Sequence, residues 1–475
     1  MFKINFRFLK KAAYLTIVPA LILFLNFSAG AQGRDSVKTG YLLDAAEEYW
    51  PQSTDTNRKG KFFDNINHVP IRNTKGFISL GGSVRAVYEN FDKYLWGLGP
   101  QDPNGYFLER ILLHADLRYN KHFRLFGELE SSFVINRNGG PRPVQDLNKF
   151  DPTQLFAEYS TGSGDQLHYK IRIGEQALNY GLGTLLDIRD ANVRRSFAGA
   201  KLILEKNNSR LDIFAMQLVQ TKNNWLDDYV DHGQKIAGFW LTSNVKNPVI
   251  QKFEVYYIYI ERGLTQFSQG PGRERRHTLG ASTTLKSGSW STYSEADLQL
   301  GKFNEGNIRA WKVTQGISYE ITNLKTKPVF TFQTAMSSGD KNPADKNLET
   351  FNPIYPKAIY YGFVDNSGSS NIFLIHGKAE LSISKKTRMT AGYYRFWRQS
   401  LKDGIYGPSG FPVLPPANNE RLIGDMFDLT TSYGFSPHLR ITAIVADYTR
   451  GGFLTNIPAA YHDILYGGLN LSLHF

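Results

Sequence analysis

The feature that most constrains the fold is a two-residue alternation of apolar and polar side chains, which recurs from Phe77 to Phe475. Successive side chains of a strand point to opposite faces, so each such stretch has one apolar face and one polar face. In Tyr169–Gly174, the tyrosine and two isoleucines share one face, and Lys170 and Arg172 occupy the other. The repetition of this pattern predicts an all-β chain.

We predict 18 strands, joined alternately by long and short connections. The short ones, such as Asn120-Lys121 and Ser287-Gly288-Ser289, carry the residues that tight hairpin turns need. Short periplasmic turns and long extracellular loops are typical of a transmembrane antiparallel β-barrel, which is the fold we predict. The strands centre on 77–89, 107–119, 122–134, 154–161, 166–174, 197–205, 210–219, 235–242, 251–262, 276–286, 290–301, 308–320, 328–336, 372–384, 388–398, 425–433, 438–449 and 465–475. The long connections are 90–106, 135–153, 175–196, 220–234, 263–275, 302–307, 337–371, 399–424 and 450–464.

The last strand has the clearest alternation, with leucines at 465, 469, 471 and 473 on the face of Phe475. An unpaired apolar edge of a soluble sheet would invite aggregation, whereas a barrel pairs its last strand with its first. We therefore expect Leu469, Leu471 and Leu473 to face membrane lipid. The terminal Phe475 resembles the recognition signal of the outer-membrane barrel-assembly machinery, which we expect as a partner.

The N-terminus has the pattern of a secretory signal peptide. Cations precede the apolar run Ala12–Phe27, and Ala29-Gly30-Ala31 fits a cleavage site before Gln32. The run of 16 residues is short for a membrane-spanning helix. We predict a signal peptide at 1–31, a periplasmic lead-in at 32–75 with a short helix around Tyr41–Tyr49, and an outer-membrane barrel at 76–475.

Composition excludes several classes of protein. The chain has no cysteine, so it forms neither disulfides nor thiolate metal sites. The ten histidines lack metal-ligand spacing, no G-x-S-x-G motif occurs, and we expect neither a cofactor nor an enzyme. Cations are dispersed among acids, which argues against nucleic acid. A mean hydropathy of −0.36 is compatible with a membrane barrel, because only one face of each strand meets lipid.

An 18-stranded barrel is too wide for side chains to fill, so we expect an aqueous lumen unless loops fold inward. The inward faces of the first six strands carry both cations and acids, which suits ions or sugars. The alternative for each charge is a solvated wall of ion pairs, an interpretation that we also favour for Glu295 and Asp297. The candidate pore-lining residues are Arg85, Arg110, Arg118, Arg124, Lys170, Arg172, Arg189, Arg194 and Lys201.

Three stretches, Ile173–Gln176, Tyr180–Gly183 and Arg189–Lys201, together resemble the signature of the alginate-export porin family. A second match comprises Ser338–Asp340 and the later stretch Thr350–Lys357. The resemblance implies an 18-stranded outer-membrane barrel with a basic constriction for an anionic polyuronate. The chain departs from the family pattern with Glu175 and Lys201 in place of arginines, Ala191 in place of proline and Ala198 in place of aspartate.

Our first functional hypothesis is a passive outer-membrane porin for anionic or small polar solutes, including acidic oligo- and polysaccharides. The alternatives are a loop-plugged structural or adhesion barrel and an outer-membrane enzyme. The connection 175–196 is the best candidate to fold into the lumen, and we expect Arg172, Arg194 and Lys201 to give a modest anion preference. Alternatively, Arg194 pairs with Asp187 or Asp190 and only pins this connection.

Overall fold

The computed structural model describes residues 41–50, 66–161, 166–245, 247–357, 359, 361–364 and 367–475. The predicted signal peptide and its cleavage site lie outside the described residues. Within these ranges, no helix is both long enough and apolar enough to cross a membrane.

Eighteen long antiparallel strands form one closed sheet, as predicted. The last strand pairs with the first from Ser83 opposite His474 to Asp92 opposite Leu465, which closes the barrel. The backbone of Phe475 extends this closure, because its N–H and C=O both bond to Gly82. The strands are β1 (Phe77–Asp92), β2 (Tyr106–Arg118), β3 (Phe123–Ile135), β4 (Asn148–Thr161), β5 (His168–Gln176), β6 (Phe197–Lys206), β7 (Ser209–Gln220), β8 (Tyr229–Asn244), β9 (Ile250–Phe267), β10 (Gly270–Ser287), β11 (Trp290–Phe303), β12 (Gly306–Glu320), β13 (Val329–Ser337), β14 (Ile372–Ser382), β15 (Thr387–Arg398), β16 (Leu422–Gly434), β17 (Leu439–Arg450) and β18 (Ile464–His474).

The remaining regular elements are short. Val69–Pro70 pairs with the start of β1, and Ile405–Tyr406 forms a small hairpin with Pro412–Leu414. Helical turns occur at Ala45–Glu47, Tyr94–Gly97 and Gly452–Thr455. The first of these is the short helix that the sequence predicted near Tyr41–Tyr49.

Two predicted long connections are wrong. The connections at 263–275 and 302–307 are two-residue turns, because β9 to β12 continue to 267, 270, 303 and 306. These strands extend further because Phe267 and Phe303 pack in a buried cluster with Ile308, Leu348 and Tyr406 beneath the external loops.

The outer surface of the barrel is apolar, as the alternation predicted. Leu465 is 53% exposed, and Leu469 and Leu471 are each 45% exposed, whereas Tyr466 between them is buried. Strand β9 is apolar on its inward face as well as on its outward face. Its inward residues Tyr256, Ile258 and Ile260 are fully buried against an internal loop.

Three loops matter for the site: loop A (177–196), loop B (221–228) and loop C (338–371). Loop A folds into the lumen, as expected from the sequence, and meets loop C there in a short parallel pairing of Leu186 with Tyr355. The Asp187 N–H donates to the Tyr355 carbonyl at 3.0 Å, and the Tyr355 N–H donates to the Leu185 carbonyl at 2.9 Å. Together, the two loops form a septum across the barrel.

The N-terminal segment (41–50) also lies against the inner wall. The Gln154 amide donates to Asp44 at 2.9 Å, and Glu47 is within 3.4 Å of Arg172. The described part of the predicted lead-in thus occupies the periplasmic end of the lumen.

Candidate functional site

The septum separates two cavities. The periplasmic cavity, of about 560 Å³, lies between the N-terminal segment, loop A and the strands next to the barrel closure. Arginines 85, 110, 194 and 440 line it together with Asp190. The extracellular cavity, of about 600 Å³, is lined by Arg142, Arg189, Arg195, Arg262 and Lys357. Among the described residues that line this second cavity, none is an aspartate or a glutamate.

Two wall arginines hold the tip of loop A. The guanidinium groups of Arg85 and Arg110 donate to the Ala191 carbonyl at 2.6 and 2.8 Å. They also lie 3.3 and 2.8 Å from the Asp190 carboxylate. Partial desolvation disfavours the charge on Asp190, whose side chain is 46% exposed, but Arg110 and Arg85 outweigh that effect and lower its pKa to about 2. Asp190 is therefore ionised at neutral pH and anchors the loop.

Asn192 fixes the same loop to the barrel wall. Its amide nitrogen lies 2.9 Å from the Phe133 carbonyl and 2.8 Å from the Asp146 carbonyl. The Ser132 hydroxyl donates to the Asn192 carbonyl at 3.0 Å. Asn192 is 1% exposed, so these bonds form away from solvent. These hydrogen bonds fix Asn192 and thereby position the loop A residues before and after it.

Arg189 stabilises the conformation of loop A. Its φ of 55° places it in the left-handed region, and its guanidinium donates to the carbonyls of Val193 at 3.1 Å and Val144 at 2.5 Å. Burial lowers the pKa of Arg189 to about 10, so it keeps its charge at neutral pH. This residue therefore shapes the loop and also contributes charge to the extracellular cavity.

Three of the predicted pore residues donate hydrogen bonds to backbone carbonyls of the N-terminal segment. Arg194 donates to the Leu43 carbonyl at 2.7 Å, Arg124 to the Ala46 carbonyl at 2.7 Å, and Arg118 to the Glu48 carbonyl at 3.1 Å. Arg194 also lies 3.9 Å from Glu128. The suggested pairing of Arg194 with Asp187 or Asp190 is not what holds it, since Asp190 pairs with Arg85 and Arg110.

The other predicted cations lie deeper in the wall. Arg172 pairs with Glu158 at 2.7 Å, and Lys170 with Glu205 at 3.0 Å. Lys201 is 4% exposed and lies directly opposite Arg172 in the strand register. Four of the nine candidates line a cavity, namely Arg85, Arg110 and Arg194 on the periplasmic side and Arg189 on the extracellular side. The other five line neither cavity, and the pore-lining role of all nine stays a prediction.

Sequence analysis missed the residues around Tyr355 in the extracellular cavity. The guanidinium carbons of Arg195 and Arg262 lie 5.2 and 4.7 Å from the centre of the Tyr355 ring. Arg195 donates to the Pro356 carbonyl at 3.2 Å. Burial and the neighbouring Arg189 lower the pKa of Arg195 to about 9, so this cation is partly desolvated but charged. The Arg-Arg pair in 194–195 was visible in the sequence, whereas Tyr355 and Arg262 come from distant segments.

Glu295 and Asp297 form ion pairs, as the sequence predicted, but these pairs are buried rather than solvated. The Lys312 ammonium lies 3.1 Å from Glu295 and 3.3 Å from Asp297. The Tyr256 hydroxyl donates to the same carboxylates, and its ring stacks on Trp240 at 3.8 Å. This network also holds loop A against the barrel wall, since the Thr184 hydroxyl of that loop donates to Glu295 at 2.9 Å.

Comparisons with known proteins agree with this architecture. The family model described as alginate export matches residues 77–466. Among solved structures, the chain is similar to Acinetobacter baumannii OccAB3, with 11% identity and a TM-score of 0.58 over 84% of this chain and 99% of that one. It is also similar to Pseudomonas aeruginosa OccK11 (OpdR), with 14% identity and a TM-score of 0.52 over 84% and 96%. The outer membrane protein OpdK of Pseudomonas aeruginosa has 11% identity and a TM-score of 0.56 over 84% and 98%. No curated protein sequence matches the chain.

Proposed function

Since this chain belongs to the alginate-export family of outer-membrane β-barrels, we propose that it is a channel for small carboxylated solutes, including acidic sugars and short acidic oligosaccharides. The observation that carries the proposal is the extracellular cavity, whose described lining includes five cations and no acid, although Arg142 and Arg262 pair with Asp146 and Glu274 outside this lining. A cavity lined by one sign of charge concentrates the opposite ion and raises its rate of entry.

The desolvation of these cations favours anion binding. Burial lowers the pKa values of Arg189 and Arg195 to about 10 and about 9, so the cavity contains charges that water solvates incompletely. A carboxylate entering beside them would favour their charged forms, and arginine binds carboxylates through two parallel hydrogen bonds.

The shape of the cavity favours a solute with apolar faces as well as charge. Tyr94, Tyr355, Phe411 and Pro408 line it alongside the cations. The C–H faces of a sugar ring or the ring of an aromatic acid would pack against such side chains. A volume of about 600 Å³ suits a small solute rather than a polymer. A polymer would need the septum to move.

The periplasmic cavity, on the other side of the septum, is also lined by cations. Arg85, Arg110 and Arg194 line the periplasmic cavity, where Asp190 is the acid that faces them. A small anion that passes loop A would therefore meet a second group of guanidinium groups. This succession of sites supports passive movement along the barrel axis.

Reversal potentials in a planar bilayer under a KCl gradient test the proposal. The wild type is expected to prefer anions, and the double variant Arg195→Gln, Lys357→Gln to shift toward cations. The matched control is Lys341→Gln, Lys346→Gln, which removes two exposed cations of loop C that lie outside the cavity. A cation-selective wild type, or equal shifts in both double variants, would contradict the proposal.

The septum also favours a second candidate function, a plugged barrel with a structural or adhesive role. Loops A and C and the N-terminal segment all occupy the lumen. The same bilayer experiment separates the two functions. A plugged barrel gives no stepwise conductance at any salt concentration, whereas a narrow channel gives small but resolvable steps.

A further inference from the structure

Three carboxylates meet where the outer end of β4 touches loop B. One oxygen from each of Asp151, Asp227 and Asp228 lies within 4.8 Å of the others. The loop is held there by its backbone, because the Leu226 N–H donates to the Phe150 carbonyl at 2.9 Å. Asp151 is 2% exposed and the two loop residues are half-buried, so the cluster is not a solvated surface patch.

These carboxylates are not neutralised by the protein. In the described part of the chain, no lysine, arginine or histidine nitrogen lies within 4.0 Å of any of the three. Another acid lies beside them, since Glu130 is opposite Asp151 in the strand register. Elsewhere in the lumen, buried acids such as Glu158 have arginine partners. Buried charges are normally paired with opposite charges or coordinate a metal ion.

Buried oxygen atoms at the cluster lack hydrogen-bond donors. Asp151 Oδ2 and Asn148 Oδ1 have no hydrogen-bond partner among the described residues, and Asn148 is 3% exposed. The Asn148 amide nitrogen donates to Asp228 Oδ2 at 3.2 Å, so this side chain lies against the same cluster. Unpartnered buried acceptors are rare in folded proteins, and each one calls for a ligand or an explanation. A cation bound at the cluster would satisfy Asp151 Oδ2.

We propose that Asp151, Asp227 and Asp228 bind a hard divalent cation, Ca²⁺. Calcium takes six to eight oxygen ligands at about 2.3–2.6 Å, so oxygens that share one ion lie within about 5 Å of each other. The 4.8 Å limit on the three carboxylate oxygens meets that requirement. Mg²⁺ fits less well, because it demands near-ideal octahedral geometry and gives up its water reluctantly.

The ion would fasten loop B to the barrel wall. Loop B begins at Thr221, which lines the extracellular cavity, and it ends at Asp228 directly before β8. Ca²⁺ would therefore stabilise the rim of the cavity by joining its outer loop to β4. This inference does not depend on the identity of the solute.

Luminescence of Tb³⁺, which replaces Ca²⁺ at oxygen sites, tests the proposal on the full refolded chain in detergent. Trp225 precedes Asp227 by two residues and its ring centre lies 5.6 Å from that of Phe150, so it can sensitise an ion bound at the cluster. We expect saturable luminescence at one ion per chain, reversed by Ca²⁺ but not by K⁺. The signal should be lost in the Asp227→Asn, Asp228→Asn variant.

Two further variants make the result specific. Glu305→Gln removes an exposed acid that pairs with Lys346 at another external turn, and it should bind Tb³⁺ like the wild type. Trp225→Phe should lose most of the luminescence yet keep the rise in thermal midpoint that Ca²⁺ produces. If the double variant does not fold, the single variant Asp227→Asn should still bind Tb³⁺ at least tenfold more weakly. An absent or unsaturable wild-type signal, or equal binding by the aspartate variants, would overturn the proposal.

Discussion

Arg194 and Arg195 are adjacent in the chain, yet they line cavities on opposite sides of the septum. Arg194 donates to the Leu43 carbonyl at 2.7 Å in the periplasmic half, and Arg195 donates to the Pro356 carbonyl at 3.2 Å in the extracellular half. Successive side chains of an extended segment point in opposite directions, which explains the arrangement. The Arg194-Arg195 dipeptide thus places one cation on each side of the septum.

Replacing each arginine separately should have different effects on the channel. A hydrogen bond from a charged donor contributes about 1.5–3 kcal/mol, so Arg194→Ala should increase the population with a released N-terminal segment about ten- to a hundredfold. Single-channel conductance should therefore rise. Arg195→Ala removes a cavity charge without that anchor, and it should shift the reversal potential toward cations at similar conductance. A selectivity change without a conductance change in Arg194→Ala would contradict this division of roles.

The orientation of β18 predicts how the barrel tolerates charge. Leu471 is 45% exposed on the outer face, whereas Ser472 lines the periplasmic cavity. A charge on the lipid face near the bilayer midplane costs about 2–4 kcal/mol, so Leu471→Arg should reduce the folded fraction. Ser472→Arg should fold like the wild type. Heat-modifiable migration in gels measures both, and equal folding yields would refute the assignment of the two faces.

The strands could be predicted from the sequence, because the alternation of apolar and polar residues lies within each strand. Contacts between segments that are far apart in the chain could not be predicted. The strands of the barrel follow from the period of two, and so does the outward face of Leu471. The apolar inner face of β9 could not be assigned, because its reason is the packing of Ile258 and Ile260 against an internal loop. The partners of Arg118 and Arg124 could not be predicted either, since they are backbone carbonyls about 70 to 80 residues away.

Asn192 should be important for the stability of loop A. Asn192→Ala leaves the carbonyl of Phe133 and the buried carbonyl of Asp146 without this donor, and an unsatisfied buried group costs about 1–3 kcal/mol. Urea unfolding of the refolded protein should show a lower midpoint or an early transition for this variant. Asn104→Ala, at an exposed loop position, is the matched control and should unfold like the wild type. Identical curves for both variants would argue against the anchoring role of Asn192.

Glu48 should make the position of the N-terminal segment depend on pH. Glu48 is 6% exposed, and its carboxyl accepts hydrogen bonds from the Leu42 N–H at 2.8 Å and the Trp50 indole at 3.0 Å. Burial raises the pKa of Glu48 to about 7, and repulsion from Glu128 and Asp44 acts in the same direction. A solvated glutamate has a pKa of about 4.3. Glu48 therefore binds its proton more tightly when the N-terminal segment lies in the lumen than when the segment is released.

The sign of the effect follows from that difference in pKa. Below about pH 4 both states are protonated and the segment binds most strongly, and binding weakens as pH rises until Glu48 ionises near pH 7. Conductance should therefore increase between about pH 5 and pH 8. Glu48→Gln removes the ionisation and should flatten this dependence. His438, which contacts the segment through Tyr41 at 2.9 Å, provides a control, since His438→Gln should retain it. If Glu48→Gln responds to pH as the wild type does, Glu48 does not control release of the segment.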